Sequence, residues 1–216
     1  DTYVYAVNSD GSLKWKYQTD GSIAPLASPT LNSDGSMIYV GSGDRNKDEG
    51  GTLYALNSDD GTLNWKKENL DGARVSGAVV GADGTIYATG SGRVHAFDEN
   101  GNKLWESGKD TASSLAPSLS SDGTLYVGTS DGKVYAINSS NGKSKWSNPY
   151  QTGPNPNSTG DPKDPQYGVL ATIVIGADGI IYVGAMDGVM HALNTDGSVL
   201  WKYTTGDNIN ENCPAI

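Results

Sequence analysis

The chain has 216 residues, with 15 Lys and Arg against 25 Asp and Glu, which gives a formal net charge of −10. That balance argues against a nucleic-acid or anionic-lipid partner, because both demand clustered cations, and no apolar run approaches the ~18 residues of a membrane span, so no direct membrane insertion is expected. One cysteine, Cys213, excludes an internal disulfide and argues against a thiolate zinc site.

The chain opens at Asp1, already inside a patterned strand, Thr2-Tyr3-Val4-Tyr5-Ala6-Val7. No Met, apolar leader or lipid-attachment Cys precedes it, so it reads as a processed product or an excerpt, with the remainder of a longer chain expected outside it. Residues 2–18 form two strands around Asp10-Gly11 and carry Trp15. The same marks then recur in units at 24–68, 73–107, 112–148 and 168–204. Trp65, Trp105, Trp146 and Trp201 each follow an Asx-Gly pair: Asp60-Gly61, Asn100-Gly101, Asn141-Gly142 and Asp196-Gly197. Ahead of each pair lies a short tetrad, from Tyr5-Ala6-Val7-Asn8 to Tyr54-Ala55-Leu56-Asn57, His95-Ala96-Phe97-Asp98, Tyr135-Ala136-Ile137-Asn138 and His191-Ala192-Leu193-Asn194. An apolar-Tyr strand precedes four of the tetrads, at Ile38-Tyr39, Ile86-Tyr87, Leu125-Tyr126 and Ile181-Tyr182. The segment 211–216 repeats the look of Leu26-Ala27-Ser28-Pro29-Thr30 and is expected to be a terminal strand.

Asp-Gly and Asn-Gly between alternating runs specify tight hairpins, since type I′ turns need two residues at positive φ. No stretch has helical periodicity. Four strands, a to d, per unit of about 40–45 residues predict an all-β chain: a β-propeller of four-stranded antiparallel blades, four of them complete, with partial blades at both ends. A single β-sandwich would not repeat the same marks in every unit.

The tetrad, the Asx-Gly turn and the Trp resemble the repeat of quinoprotein-like β-propellers, the pyrroloquinoline-quinone-enzyme repeat, over nearly the whole chain. The resemblance implies that Trp15, Trp65, Trp105, Trp146 and Trp201 pack between neighbouring blades. It also implies a larger ring, of which this chain is an open arc; the alternative is a five-bladed ring closed by the terminal strand.

In an up-and-down blade the a–b and c–d turns leave one face of the disc, and the b–c turns and d–a connections leave the other. The a–b and c–d turns are tight. The b–c loop of the first unit, 42–50, is longer than its counterparts by about six residues, and the connection 147–168 by about fourteen. Both fall on one face, where long loops on a rigid scaffold collect binding residues. Arg45, Glu49, Tyr150, Asp161, Asp164 and Tyr167 are the candidate contacts there. The two tyrosines either line a recognition surface or pin the proline-rich connection to the disc. Asp44, Asn46 and Asp48 are candidate calcium ligands by their alternate spacing. Glu49 stands where a calcium loop needs Gly, Ala55 replaces the closing Glu, and Arg45 and Lys47 interleave. An EF-hand is therefore excluded, and a solvated polar turn is the preferred reading.

Other chemistry is thin. Gly128-Thr129-Ser130-Asp131-Gly132 imitates a nucleophile elbow but spans a hairpin, not a strand-to-helix turn. His95 and His191 fill the Tyr slot of the tetrad and read as packed aromatics. Quinone-dependent dehydrogenases of the family use an adjacent Cys pair, and only Cys213 exists here, so pyrroloquinoline quinone is not expected and no catalytic residue or cofactor is assigned. Asn138-Ser139-Ser140 and Asn157-Ser158-Thr159 match glycosylation sequons. The function expected is a non-enzymatic scaffold for a protein or extended peptide, in an extracellular, periplasmic or cell-surface setting. The resemblance adds envelope assembly and extracellular sensing as roles of such propellers. The alternatives are a fragment of a quinone-dependent dehydrogenase and a structural module of a large surface protein.

Overall fold

The computed structural model describes residues 2–21, 28–43, 50–70, 75–90, 92–108, 115–159 and 167–209. Every element in them is a strand, and every pairing is antiparallel between chain neighbours. A two-stranded sheet, β1 (Tyr3–Val7) and β2 (Leu13–Gln18), is followed by four four-stranded sheets. The first full blade holds β3 (Thr30–Leu31), β4 (Met37–Ser42), β5 (Gly51–Asn57) and β6 (Leu63–Leu70). The second holds β7 (Val75–Val80), β8 (Ile86–Gly90), β9 (Arg93–Phe97) and β10 (Lys103–Glu106). The third holds β11 (Ser118–Leu119), β12 (Thr124–Gly128), β13 (Lys133–Asn138) and β14 (Tyr150–Gln151). The fourth holds β15 (Val174–Ile175), β16 (Ile181–Gly184), β17 (Val189–Leu193) and β18 (Val199–Thr204). The chain is thus all-β, with propeller blades laid side by side in sequence order. The predicted terminal strand at 211–216, with Cys213, lies outside the described residues.

The third blade departs from the repeat. Its outer strand is Tyr150–Gln151, beyond residue 148, and Trp146 precedes it outside any strand, near the isolated bridge between Ile137 and Ser144. Residues 145–148 form bends rather than strand, Pro149 has no N–H to donate, and the ladder resumes at Tyr150.

The core is made of blade-to-blade seams. The central strands β5, β8 and β9 are almost wholly buried, and Tyr54, Leu56, Ile86 and Val94 are fully so. At each seam one Trp is held on two sides. On its own blade it meets the apolar-Tyr ring: Tyr39–Trp65, Tyr87–Trp105 and Tyr126–Trp146 all have centroids 5.8 Å apart. Across the seam its indole N–H donates to a carbonyl in the next blade's c–d turn. The pairs are Trp15 to Ser58 (2.9 Å), Trp65 to Glu99 (2.8 Å), Trp105 to Ser139 (2.9 Å) and Trp146 to Thr195 (2.8 Å). The turn glycine lies flat on the indole. A Cβ on Gly61 would stand 2.6 Å from Trp15, and one on Gly142 2.5 Å from Trp105. Each of these glycines also has φ near +70° to +80°. Gly61→Ala therefore combines a left-handed strain of about 1 kcal/mol with overpacking of about 1–3 kcal/mol. Gly11, with φ +83° and nothing within 4 Å, bears only the first. Urea melts of Gly61→Ala and Gly11→Ala are expected to show this difference; equal losses would contradict the seam.

The acidic residues serve the turns. Asp10, Asp34 and Asp196 each accept the hydroxyl of the Ser two residues on at 2.6 Å and its N–H at 2.9 Å. These bonds, the hydroxyl first, hold the three carboxyls below the usual range. Asp60 and Asp98 are lowered in the same way, by Thr62 and Asn102. A carboxyl with a lowered folded pKa stabilises fully above its unfolded value and loses that stabilisation as pH falls through the folded one. Thermal stability is therefore expected to hold from neutral pH to about pH 4 and to fall below it. A Tm series monitored by circular dichroism checks this; a Tm that rises between pH 4 and 2 would contradict it.

Candidate functional site

On the face bearing the b–c turns and blade connections, the third and fourth blades are bridged by the long connection. After β14 the chain turns onto that face. Thr152 is buried and donates its N–H and its hydroxyl to the Gly132 carbonyl, both at 2.9 Å. One residue on, Gly153 N–H donates to Asp187 Oδ2 at 2.7 Å. Asn157 Nδ2 then donates to Asp207 Oδ1 at 3.1 Å and to Asn208 Oδ1 at 3.4 Å. Thus the first part of the long connection, 152–159, is laid across from the b–c turn of the third blade to that of the fourth. The far end of the fourth blade joins this surface through Thr205 N–H to Gly188 O (2.8 Å) and Ile209 N–H to Ala185 O (3.1 Å).

Beneath it lies a buried polar chain. Tyr150 Oη and His191 Nδ1 are 2.8 Å apart, and His191 Nε2 lies 3.0 Å from Asp187 Oδ2. Asp187 also accepts Val189 N–H at 3.1 Å. The His191 side chain is 1% exposed and that of Asp187 6%. Burial pushes the Asp187 carboxyl up, but His191 and the Gly153 N–H outweigh it and hold the acid below its ordinary value. These bonds tie the third blade, the fourth blade and the connection together.

Tyr150 is half-buried in β14, its hydroxyl meets His191, and Lys202 Nζ sits 5.9 Å from its ring. Tyr167 is 37% exposed. A Cβ on Gly132 would lie 3.1 Å from the Tyr167 Cβ, which places that tyrosine beside the b–c turn of the third blade. Arg45, Glu49, Asp161 and Asp164, and the candidate calcium ligands Asp44, Asn46 and Asp48, lie outside the described residues. Among the described residues no three His, Cys, Asp or Glu side chains converge as a metal site.

In the first and fourth blades the tetrad's Tyr slot is a polar tie to the preceding blade, which the sequence reading missed. In the first blade Tyr54 Oη donates to Asp20 Oδ2 (3.1 Å) and accepts Asp20 N–H (3.0 Å), with Lys66 closing on the same carboxylate at 2.8 Å. In the fourth blade His191 occupies the slot and reaches Tyr150. Both reach the outer strand region of the preceding blade. His95 fills the slot in the second blade, 1% exposed, stacked on Phe97 at 6.3 Å and 3.8 Å from the Glu106 carboxylate. A His at an aromatic slot four residues after an acidic turn residue was the available signal.

On the opposite face a groove of about 350 Å³ runs between the third and fourth blades, lined by Leu119, Asp122, Tyr126, Ile175 and Thr195 among others. Its carboxylate is already committed: Asp122 is bound by Ser120, Thr124 and Lys145, which hold it well below the carboxylate range.

Known proteins of the same build were then compared. A crystal structure of BamB from Moraxella catarrhalis superposes with a TM-score of 0.69 at 19% identity, over 93% of this chain and 55% of that one. A computationally designed protein, Ika8, gives 0.66 at 14% identity, over 98% of this chain and 62% of that one. By sequence, the outer membrane protein assembly factor BamB of Nitrosomonas eutropha is 32% identical over 173 residues, 79% of this chain and 37% of that protein. The protein of the same name from Yersinia pestis is 28% identical over 213 residues, 95% of this chain and 51% of that protein. The chain therefore spans between about a third and a half of the length of these relatives. The family model described as outer membrane protein assembly factor BamB matches residues 1–165, and on that match, the repeat and the blades together, the chain belongs to this family of pyrroloquinoline-quinone-repeat β-propellers.

Proposed function

We propose that the chain is a non-enzymatic scaffold that binds a protein or extended polypeptide during outer-membrane protein assembly, on the periplasmic side of that membrane. The observation that carries this reading is the cross-blade surface itself. Residues 152–159 are bonded to the b–c turn of the third blade and to the fourth blade, on the face where both lengthened segments of the sequence emerge. Rigid scaffolds present their recognition residues on such segments. The relatives' shared name supplies the kind of partner. Tyr167, together with Arg45, Glu49, Asp161 and Asp164 on the lengthened segments, is assigned as the contact set; Tyr150 is assigned to holding the surface in place.

The test is fluorescence anisotropy with a labelled peptide of alternating apolar and polar residues, the pattern of an outer-membrane β-barrel strand. Saturable binding is expected, weakened by Tyr167→Ala and by Asp161→Lys with Asp164→Lys, and unchanged by Asp178→Lys on the opposite face. Absence of saturable binding, or equal sensitivity to Asp178→Lys, would overturn the reading. Chelation with EDTA is expected to leave Tm unchanged, because the 44–48 segment has cationic residues between its acids; a drop in Tm would assign Asp44, Asn46 and Asp48 to calcium.

A further inference from the structure

The groove between the third and fourth blades is formed by three turns: the a–b turns of both blades and the c–d turn of the fourth, at 119–122, 175–179 and Thr195. Its most buried wall is Tyr126, 2% exposed and packed against Trp146. Leu119 and Ile175 line it while half-buried against the apolar clusters of their own blades. The walls are therefore held by packing that an occupant does not have to order. The volume of about 350 Å³ stands near the lower end of the ~300–1,000 Å³ usual for binding pockets, which is room for side chains of a short segment and not for a folded element.

The charge around the groove is of one sign. Residues 119–124, 175–180 and 194–198, which make the three turns, hold Asp122, Asp178 and Asp196 and no Lys, Arg or His. Lys145 answers Asp122 at 3.0 Å. Asp178 and Asp196 are exposed, and among the described residues no cation comes within 4 Å of either; each caps its own turn, by way of Ile180 N–H and of Ser198. On the other face the carboxylates are matched from within: Asp131 by Lys133, Asp20 by Lys66, and Glu106 by Arg93 and Lys103. The uncompensated negative field therefore stands over the groove, in a chain whose net charge is −10. Carboxylates alone would select nothing beyond a positive charge. The apolar walls between them add a shape and a register.

We propose that this groove docks a partner polypeptide through a short segment in which an apolar side chain stands beside Lys or Arg. The apolar side chain fills the space between Leu119, Tyr126 and Ile175, and the flanking cations lie against Asp178 and Asp196. This surface is on the opposite face from residues 152–159 and does not rest on the function proposed above. Apolar burial supplies most of the affinity, while the exposed ion pairs add little to it and speed the encounter. Binding therefore weakens with salt without being abolished by it.

Fluorescence anisotropy with a labelled peptide of alternating Leu and Arg tests the proposal. Saturable binding is expected, and binding at least about tenfold weaker for peptides alternating Ser with Arg or Leu with Glu, each of which lacks one half of the match. Ala177→Arg carries a long cation into the groove from an exposed position and is expected to weaken binding at least about tenfold; Asp178→Lys is expected to weaken it about threefold or more. Asp34→Lys makes the same charge change in the matching turn of the first blade and is expected to leave binding unchanged. Tyr167→Ala is expected to leave it unchanged too, which separates this site from the one on the other face. Circular dichroism melts check that each variant folds, and Ser121→Arg, at a second exposed position of the groove, stands in for Ala177→Arg if that variant does not. Equal binding of the Ser and Arg peptide, or equal weakening by Asp34→Lys, would reduce the contact to charge alone and overturn the proposal. Equal binding of the Leu and Glu peptide, or no saturable binding, would overturn it as well. So would self-association of the chain that Ala177→Arg abolishes, since the occupant would then be a second copy.

Discussion

Trp146→Ala is expected to cost about 3–5 kcal/mol, the range of a buried aromatic truncation. The indole is 8% exposed, packs at a tilt against Tyr126 with centroids 5.8 Å apart, donates to the Thr195 carbonyl at 2.8 Å, and covers Gly197, whose Cβ direction meets it at 3.0 Å. Truncation empties the seam between the third and fourth blades and leaves the Thr195 carbonyl without its donor. Trp201→Ala removes the same residue type from the same repeat position, but here the residue is 42% exposed, and the change is expected to cost under about 1 kcal/mol. Urea melts at low protein concentration measure both. Comparable losses would mean that the Trp residues act through their own blades and not through the seams.

Asp187→Ala is expected to cost about 3 kcal/mol or more. Its carboxylate takes Gly153 N–H at 2.7 Å, Val189 N–H at 3.1 Å and His191 Nε2 at 3.0 Å, and truncation leaves the buried His191 and two half-buried N–H groups without that acceptor. Asp196→Ala, in an exposed turn of similar sequence, is expected to lose less, because water replaces the carboxylate there. Hydrogen exchange adds a second readout. Gly153 N–H loses protection in Asp187→Ala, and Tyr150→Phe, which removes only the hydroxyl at His191, gives a smaller loss of stability. An Asp187→Ala protein with parental stability would show that the polar chain does not hold the connection to the fourth blade.

The blade architecture was legible in the residues because it rests on local physics. An Asx-Gly pair fixes a tight hairpin through a positive φ and a carboxylate that caps its own turn, and a period-two strand exposes one set of side chains to each neighbouring sheet. Repetition of Tyr39, Gly61 and Trp65 at the same offsets then made the packing layers visible before any coordinate was known. The outer strand of the third blade was not legible: the repeat ended that unit at 148 with Trp146 in its last strand, whereas the strand lies at Tyr150–Gln151, because Pro149 cannot donate to the ladder and pairing returns only after it.

What only the tertiary structure decided concerns groups far apart in the chain. His191 reads as an aromatic substitute until Tyr150, 41 positions away, and Asp187 are seen on its two ring nitrogens. Asn157 looks like one more loop polar residue until Asp207 lies beside it. Trp201 carries the same local sequence marks as Trp146, and nothing local separates them. Their difference in exposure arises only because a neighbouring sheet covers one and none of the described residues covers the other. Hairpins are set by neighbours in sequence, whereas a seam is set by which two sheets meet, and that is a property of the tertiary structure.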